Sequence, residues 1–413
     1  MKALRVGVCI LVAFAVLAHG AIEAWSEAVL ELGAATLFAL WGVLIFRRRQ
    51  GELRWNQLAG PLLGFGGFAL LQYLGRFTFQ PYLTKIELLK LAALLLISFV
   101  AVQAFRTPEE WRGFMWFLLV FGFVVAFFGI LQHLTFNGKL YWFRELRYGG
   151  ICFGPYANRN HFAGLMELLI PPGLAVLVLR AVPRDQLPLV ALFTFLPIGA
   201  LFFSASRAGI ASFVLQLGLL GFLIGMRHRR RKHLAAGGAV LLLAGLLVAW
   251  LGVGRALDRF AKLESLEVSE SRRLAMVRDS WRIFRDYPWT GTGLGTLQVV
   301  YPRYESFYDG KVVHHAHNDY VEILAETGVV GGACGLLFVA LLFGKAVSRL
   351  RAELAPLGFA LRAGALVASA GILVHGLADF NLRIPSNALL FLLQAALASS
   401  GLGSAGKNLP EEG

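Results

Sequence analysis

Along the chain, polar residues cluster between long apolar runs. Twelve runs of about 20 residues stand out, near 6–25, 27–46, 56–75, 86–105, 111–132, 161–181, 187–205, 207–226, 234–253, 323–346, 359–378 and 386–403. That is the length a helix needs to cross a hydrocarbon layer of roughly 30 Å. In lipid every backbone N–H and C=O must be paired within its own segment, so the runs predict an all-α polytopic membrane bundle of about 12 transmembrane helices.

Composition excludes the soluble alternative. Of 413 residues, 57% are hydrophobic and only 15% charged, and the mean hydropathy is +0.65, too apolar for so few charges to solvate. The start, MKALRVGVCILVAFAVLAHGA, also has the look of a signal peptide; its cleavage would leave eleven spans and the same topology. Apolar character resumes at once after it, which favours a retained first span.

The net charge is +14, and its distribution is topological. If the N-terminus is cytoplasmic, the inward loops hold Lys2 and Arg5, Arg47 to Arg49 and Arg54, Arg106 and Arg112, Arg180 and Arg184, the RHRRRKH run at 227–233, Lys345, Arg349, Arg351 and Arg362, and Lys407. The short outward loops are poor in both Lys and Arg, as the positive-inside rule requires. Nucleic acid need not be invoked for the basic run. Trp25, Trp55, Trp111 and Trp250 sit at span ends, where an aromatic belt belongs. Cys9, Cys152 and Cys334 show neither a pairing pattern nor metal spacing.

Two outward segments exceed turn length, about 133–160 and about 254–318. Neither is low in complexity, so both read as ordered and functional. Within the second, 270–287 has Leu274, Val277, Trp281 and Phe284 on one helical face with arginines around the rest, predicting an amphipathic helix on the outer membrane surface or over the bundle. Pro288 and GTGLG at 291–295 end it; this run follows no strand and lacks a Lys-Ser/Thr ending, so it reads as a turn and not a phosphate loop. No repeat relates the two halves. The expectation is a single membrane domain, 1–413, with a partly helical periplasmic loop as its outer cap.

Candidate chemistry lies at this outer face. In HHAHNDYVEILAETGVVGG (314–332), Asp319 and Glu322 have the spacing of an N-cap and its N3 partner, which sets His317 just before a helix start. A neutral imidazole there, with Asn318 beside it, suits a general base. His315 and His317, with His314 or Asp319, form the competing metal reading; a polar helix mouth is the plain one. Gly328 with Gly332, and Gly331 with Gly335, predict close helix packing. Arg207, in the short outward turn of FFSASRAGI, is costly at that depth unless it meets an anion, and a planar fork of donors suits a diphosphate; snorkelling to headgroups is the alternative. Arg159 and His161 in GPYANRNHFAG, and Arg272 or Arg273 in the loop helix, lie on the same side. Glu167 and the polar residues His375, Asp379 and Arg383 of 375–387 read as pairing inside the bundle.

Four segments, GPYANRNHFAG, SASRAG, the Arg273-to-GTGLG stretch and HAHNDYVEILAETGVVG, occur in this order across residues 150–335. Together they resemble the O-antigen ligase and O-antigen polymerase superfamily of bacterial inner-membrane glycosyltransferases, whose fold is GT-C-like. The resemblance implies transfer of a glycan from undecaprenyl diphosphate to a lipid or glycan acceptor hydroxyl on the periplasmic side, with no metal or other cofactor. It also implies His317 as the base and Arg207 with Arg273 on the diphosphate; Arg272 is adjacent and open to the same role. Arg159, His315 and Asn318 complete the expected substrate-contacting set. Val277 and Glu167 depart from the family's pattern without removing a proposed catalytic group. The shared motifs serve donor and base, so they do not separate ligase, polymerase and transfer to protein. A lipid-linked glycan flippase would use the same arginines but needs alternating access, usually from repeated halves.

Overall fold

The computed structural model describes residues 1–48, 53–145, 152–228, 270–308, 310 and 312–401. Helices occupy eleven of the twelve expected spans: α1 Lys2–Leu17, α2 Ala24–Arg48, α3 Ala59–Leu74, α4 Pro81–Ala104, α5 Pro108–Leu134, α6 Arg159–Leu179, α7 Leu187–Phe203, α8 Arg207–His228, then α10 Asp319–Ala352, α11 Pro356–His375 and α12 Pro385–Ser399. The span expected at 234–253 lies outside the described residues. So does the start of the long loop, whose described part begins with the expected loop helix, α9 Glu270–Asp286. The only paired strands among the described residues are the two-residue segments Lys139–Leu140 and Arg144–Glu145. The chain is an all-α polytopic membrane protein. Among the described residues seven helices are long and apolar enough to cross a membrane.

Burial separates the centre from the periphery. The apolar window of α11 is 89% buried and that of α6 is 78%, against 17% in α2. Apolar faces that are exposed here have lipid as their solvent, so the peripheral helices need no second protein layer. α6 and α11 pack on each other and on α8 and α12. Two buried side chains inside this centre pair: His375 Nδ1 lies 2.7 Å from Glu167 Oε1, which is the bundle pairing expected for Glu167.

The helices alternate in direction, so the N-terminal ends of α6, α8, α10 and α12 gather at one end of the bundle. Four helix N-termini there bring positive dipole ends to one face, a setting that favours anions.

α10 corrects two expectations. Its N-cap is Asn318, whose Oδ1 accepts from Tyr320 N at 3.1 Å and Val321 N at 3.0 Å, not Asp319. Asp319 is the first helical residue, and its N–H donates to the Gly376 carbonyl at 2.9 Å. Glu322 therefore turns back to accept from Ala316 N at 2.8 Å, which closes the loop before the helix. The glycines also differ in role from the expected packing pairs. Gly328 has φ +61° and ψ −162°, a break within the helix. A Cβ there would overlap the Trp289 carbonyl, and nothing lies within 4 Å of one at Gly335.

The break opens the helix to the segment after α9. Carbonyls freed at the kink accept from Thr292 N (Ala325, 3.1 Å) and Gly293 N (Glu326, 2.9 Å), while Val329 N donates to Pro288 O at 2.8 Å. Gln72 of α3 completes the wedge, donating to Thr290 O and Glu326 O and accepting from Leu294 N. GTGLG is thus a packing turn, as expected, and it fastens α9 to the membrane helices.

α9 buries a largely polar face and leaves part of its apolar stripe exposed. Its buried residues are Arg272, Met276, Asp279, Ser280 and Ile283, while Leu274 and Trp281 are exposed. The polar buried face has a reason: Asp279 accepts from Tyr301 OH at 3.1 Å and from Ser306 N and Oγ at 2.9 and 2.8 Å. Of the apolar stripe, Leu274 and Trp281 face outward while Val277 and Phe284 are half-buried.

Candidate functional site

The centre of the outer end is built on the connection between α11 and α12. Asp379 is wholly buried. Its Oδ1 lies 3.2 Å from His317 Nδ1, and its Oδ2 accepts from Asn160 Nδ2, near the start of α6, at 2.7 Å. His161 Nε2 stands 3.8 Å from Oδ1, within electrostatic reach but beyond a hydrogen bond. Burial pushes the Asp379 carboxyl up. The neighbouring His317 charge and the two histidine rings outweigh this and hold it well below the usual carboxylate range.

A carboxylate can only accept, so it fixes the proton of His317 on Nδ1 and leaves Nε2 as the basic nitrogen. The backbone adds a second constraint. His317 has φ +51°, a left-handed conformation that a non-glycine side chain adopts at about 1–3 kcal/mol and that is concentrated at functional sites. Phe380 packs the surrounding rings: His315 stacks on it at 4.3 Å between centroids, and His161 and His317 meet it edge-on at 4.7 and 4.9 Å.

The three histidines of the opening motif diverge. His314 Nδ1 lies 3.0 Å from Gln298 Oε1, His315 Nδ1 lies 2.8 Å from Glu322 Oε1, and only His317 meets Asp379. No group of three or more His, Cys, Asp or Glu residues fit to hold a metal occurs among the described residues. His315 and Asn318, expected at the substrate, are engaged in the scaffold. Arg383 bridges Glu322 (Nε to Oε1, 3.1 Å) and Glu326, so His315, Glu322, Arg383 and Glu326 form one network. Asn318, besides capping α10, donates from Nδ2 to Leu377 O at 2.8 Å. For His315, burial favours the neutral ring, but the Glu322 carboxylate and its hydrogen bond prevail and raise the pKa above its ordinary value.

The arginines singled out from the sequence sit on the elements that meet at this end of the bundle. Arg207 is the first residue of α8, following a turn in which Ala205 takes φ +52° and Ser206 Oγ caps Gly209 N at 3.2 Å. Arg159 is the first residue of α6, whose N-cap is Asn158. Arg273 Nη1 donates to Ala378 O at 3.4 Å, one residue before Asp379. Arg272 is buried on the inner face of α9, within electrostatic reach of Tyr301. Of the two adjacent arginines, the structure therefore sets Arg273 beside the histidine centre.

Sequence reasoning missed Asp379 as the partner of His317. The available signal was the run of polar residues at 375–387 within an apolar stretch, and it could not name the residue they face. Residues 192–336 match the sequence family described as O-antigen ligase. No curated protein matches the chain.

Proposed function

Residues 192–336 identify the chain as a member of the O-antigen ligase/polymerase superfamily, and from that premise we propose that it transfers a glycan from undecaprenyl diphosphate to an acceptor hydroxyl at the periplasmic face of the bacterial inner membrane. The proposed role is that of a ligase, with lipid A–core or a similar surface glycan as acceptor. The observation that carries this reading is the His317–Asp379 pair at 3.2 Å, set where helix N-termini and arginines gather.

In the proposed reaction His317 Nε2 takes the proton of the acceptor hydroxyl. The oxygen attacks the anomeric carbon of the first sugar as the bond from that carbon to the phosphate oxygen breaks. A single displacement inverts the anomeric configuration, and the electron pair leaves with the diphosphate. Arg207 and Arg273 stabilise the charge that grows there, a task that otherwise falls to a divalent cation. Asp379 holds the ring and compensates the imidazolium that forms. The proton leaves with water.

The test is transfer by the purified protein from a lipid-diphosphate glycan in excess chelator. The reading requires transfer by the wild type and loss with His317→Ala while the variant remains folded in the membrane fraction. Wild-type turnover by the variant, or loss of wild-type transfer in chelator, overturns it. A deletion strain separates the two members of the superfamily. Lipid A without long chains and with accumulated lipid-linked polymer means ligase, whereas lipid A capped by single repeats means polymerase.

A further inference from the structure

Two hollows adjoin at the end of the bundle opposite His317. The first, of about 120 Å³, lies between α3, α4, α10 and α12 and is walled by apolar side chains including Leu62, Leu95, Phe99, Phe338 and Leu392. The second, of about 280 Å³, opens among Arg54, Lys345 and Arg349, with Ser399 and Ser400 on its rim. Arg54, Trp55, Asn56 and Val102 line both, so the two share a wall and together form an apolar limb beside a cationic mouth.

Among the described residues no carboxylate meets the mouth, and the Arg54 guanidinium donates to a neutral group, the Arg106 carbonyl, at 3.2 Å. Neither hollow is lined by an Asp or Glu among the described residues. Other cations at membrane depth have carboxylates: Arg5 pairs with Glu110, Lys90 with Glu27 and Glu87, and Arg362 with Glu353. Arg54, Lys345 and Arg349 make no such pair among the described residues. The carbonyls at the C-terminus of α12, which would attract a cation, are already served by Arg362, which donates to Leu397, Ala398 and Ser400. Arg54 is held in place, its backbone N–H and C=O both bonded to the Gln103 amide. Lys345 and Arg349 stand one turn apart on α10 and so present their charges on one face.

We propose that this cavity binds an anionic phospholipid of the surrounding membrane, with its phosphate among Arg54, Lys345 and Arg349 and one acyl chain in the apolar limb. Cationic hollows between membrane helices, beside apolar crevices, match both halves of such a molecule. The site is separate from the proposed transfer centre: Lys345 lies some 26 residues along α10 from Asp319, roughly 40 Å at the helical rise.

The experiment uses the full chain in nanodiscs of phosphatidylcholine alone or of an equal mixture with phosphatidylglycerol, followed by native mass spectrometry of the lipid retained and by thermal unfolding. The wild type retains phosphatidylglycerol selectively and unfolds at a higher temperature in the mixture; inorganic phosphate alone produces no such rise. Joint replacement Arg54→Ala, Lys345→Ala and Arg349→Ala weakens retention roughly a hundredfold, at about fivefold per cation. Ala59→Trp, which fills the apolar limb, also removes the selectivity. The proposal is overturned if the wild type retains both lipids equally, if inorganic phosphate reproduces the rise, or if the triple variant keeps the selectivity. The wild-type comparison decides the matter even where a variant fails to fold.

Discussion

His317 Nδ1 and Asp379 Oδ1 lie 3.2 Å apart, joining the residue before α10 to the connection after α11. The second oxygen of Asp379 is fixed by Asn160 of α6, so three elements meet on one carboxylate. The pair orients the imidazole and leaves Nε2 for chemistry.

Replacing Asp379 by Asn removes the acceptor that sets the His317 tautomer. Transfer is expected to fall about 10²- to 10⁴-fold, by analogy with carboxylates that orient a catalytic histidine. Asp379 is held well below the usual carboxylate range. The stability it contributes is therefore present above about pH 3.9, its ordinary value, and is lost only as pH falls through its lower folded value. It stays ionised between pH 5 and 8, so the loss of initial rate in Asp379→Asn should persist across that whole window. An Asp379→Asn enzyme with wild-type rate and profile would remove the pair from the mechanism.

Arg273 and Arg272 should separate cleanly. Arg273→Ala is expected to lower transfer about 10²-fold or more with folded protein recovered, and Arg273→Lys should restore little of it, because a single ammonium does not reproduce the planar fork. Arg272→Ala, at a buried position, should chiefly lower the yield of folded protein. Initial rates beside size-exclusion profiles distinguish the two, and the reverse pattern would exchange their roles.

Gly328→Ala should destabilise by about 1–3 kcal/mol or more, since its left-handed φ is strained for an L side chain and the Trp289 carbonyl blocks a Cβ. Gly335→Ala, with open space around it, should change stability by less than about 0.5 kcal/mol. Thermal unfolding in detergent compares them, and equal midpoints would contradict the wedge of GTGLG into α10.

The pH dependence of His315 has the opposite sign to that of Asp379. Its pKa is raised by Glu322 against the effect of burial. The stabilisation is therefore complete below about pH 6.5, its ordinary value, and is lost as pH rises through the higher folded value. His315→Gln should lower the unfolding midpoint at pH 6 and leave it little changed at pH 9. A midpoint difference that does not depend on pH would mean that His315 acts through packing on Phe380 alone.

The membrane spans were legible because hydrocarbon thickness and backbone pairing act on each segment separately. Local motifs were legible to the same extent: a helix begins at 319, another fills 270–286, and GTGLG turns. Errors arose where a neighbour decides. Apolar periodicity found the helix of 270–286 but left open what its faces meet, which is set by Tyr301 and Ser306 drawing Asp279 inward while Leu274 and Trp281 stay exposed. Cap spacing found the start of α10 one residue late, because Gly376 and Leu382 claim Asp319. Glycine spacing suggested helix packing where Gly328 instead makes a kink.

By itself, then, the sequence determined the class of fold, the order of the spans and the histidine, arginine and glycine motifs, all of which follow from the chemistry of short contiguous stretches. Only the tertiary structure decided that His317 faces Asp379, that Arg273 donates to the carbonyl preceding Asp379, and that Arg54 lines the same hollow as Lys345 and Arg349 at the far end. Each of these joins residues distant in the chain, and a buried polar group takes whichever partner the packing of the helices brings within reach.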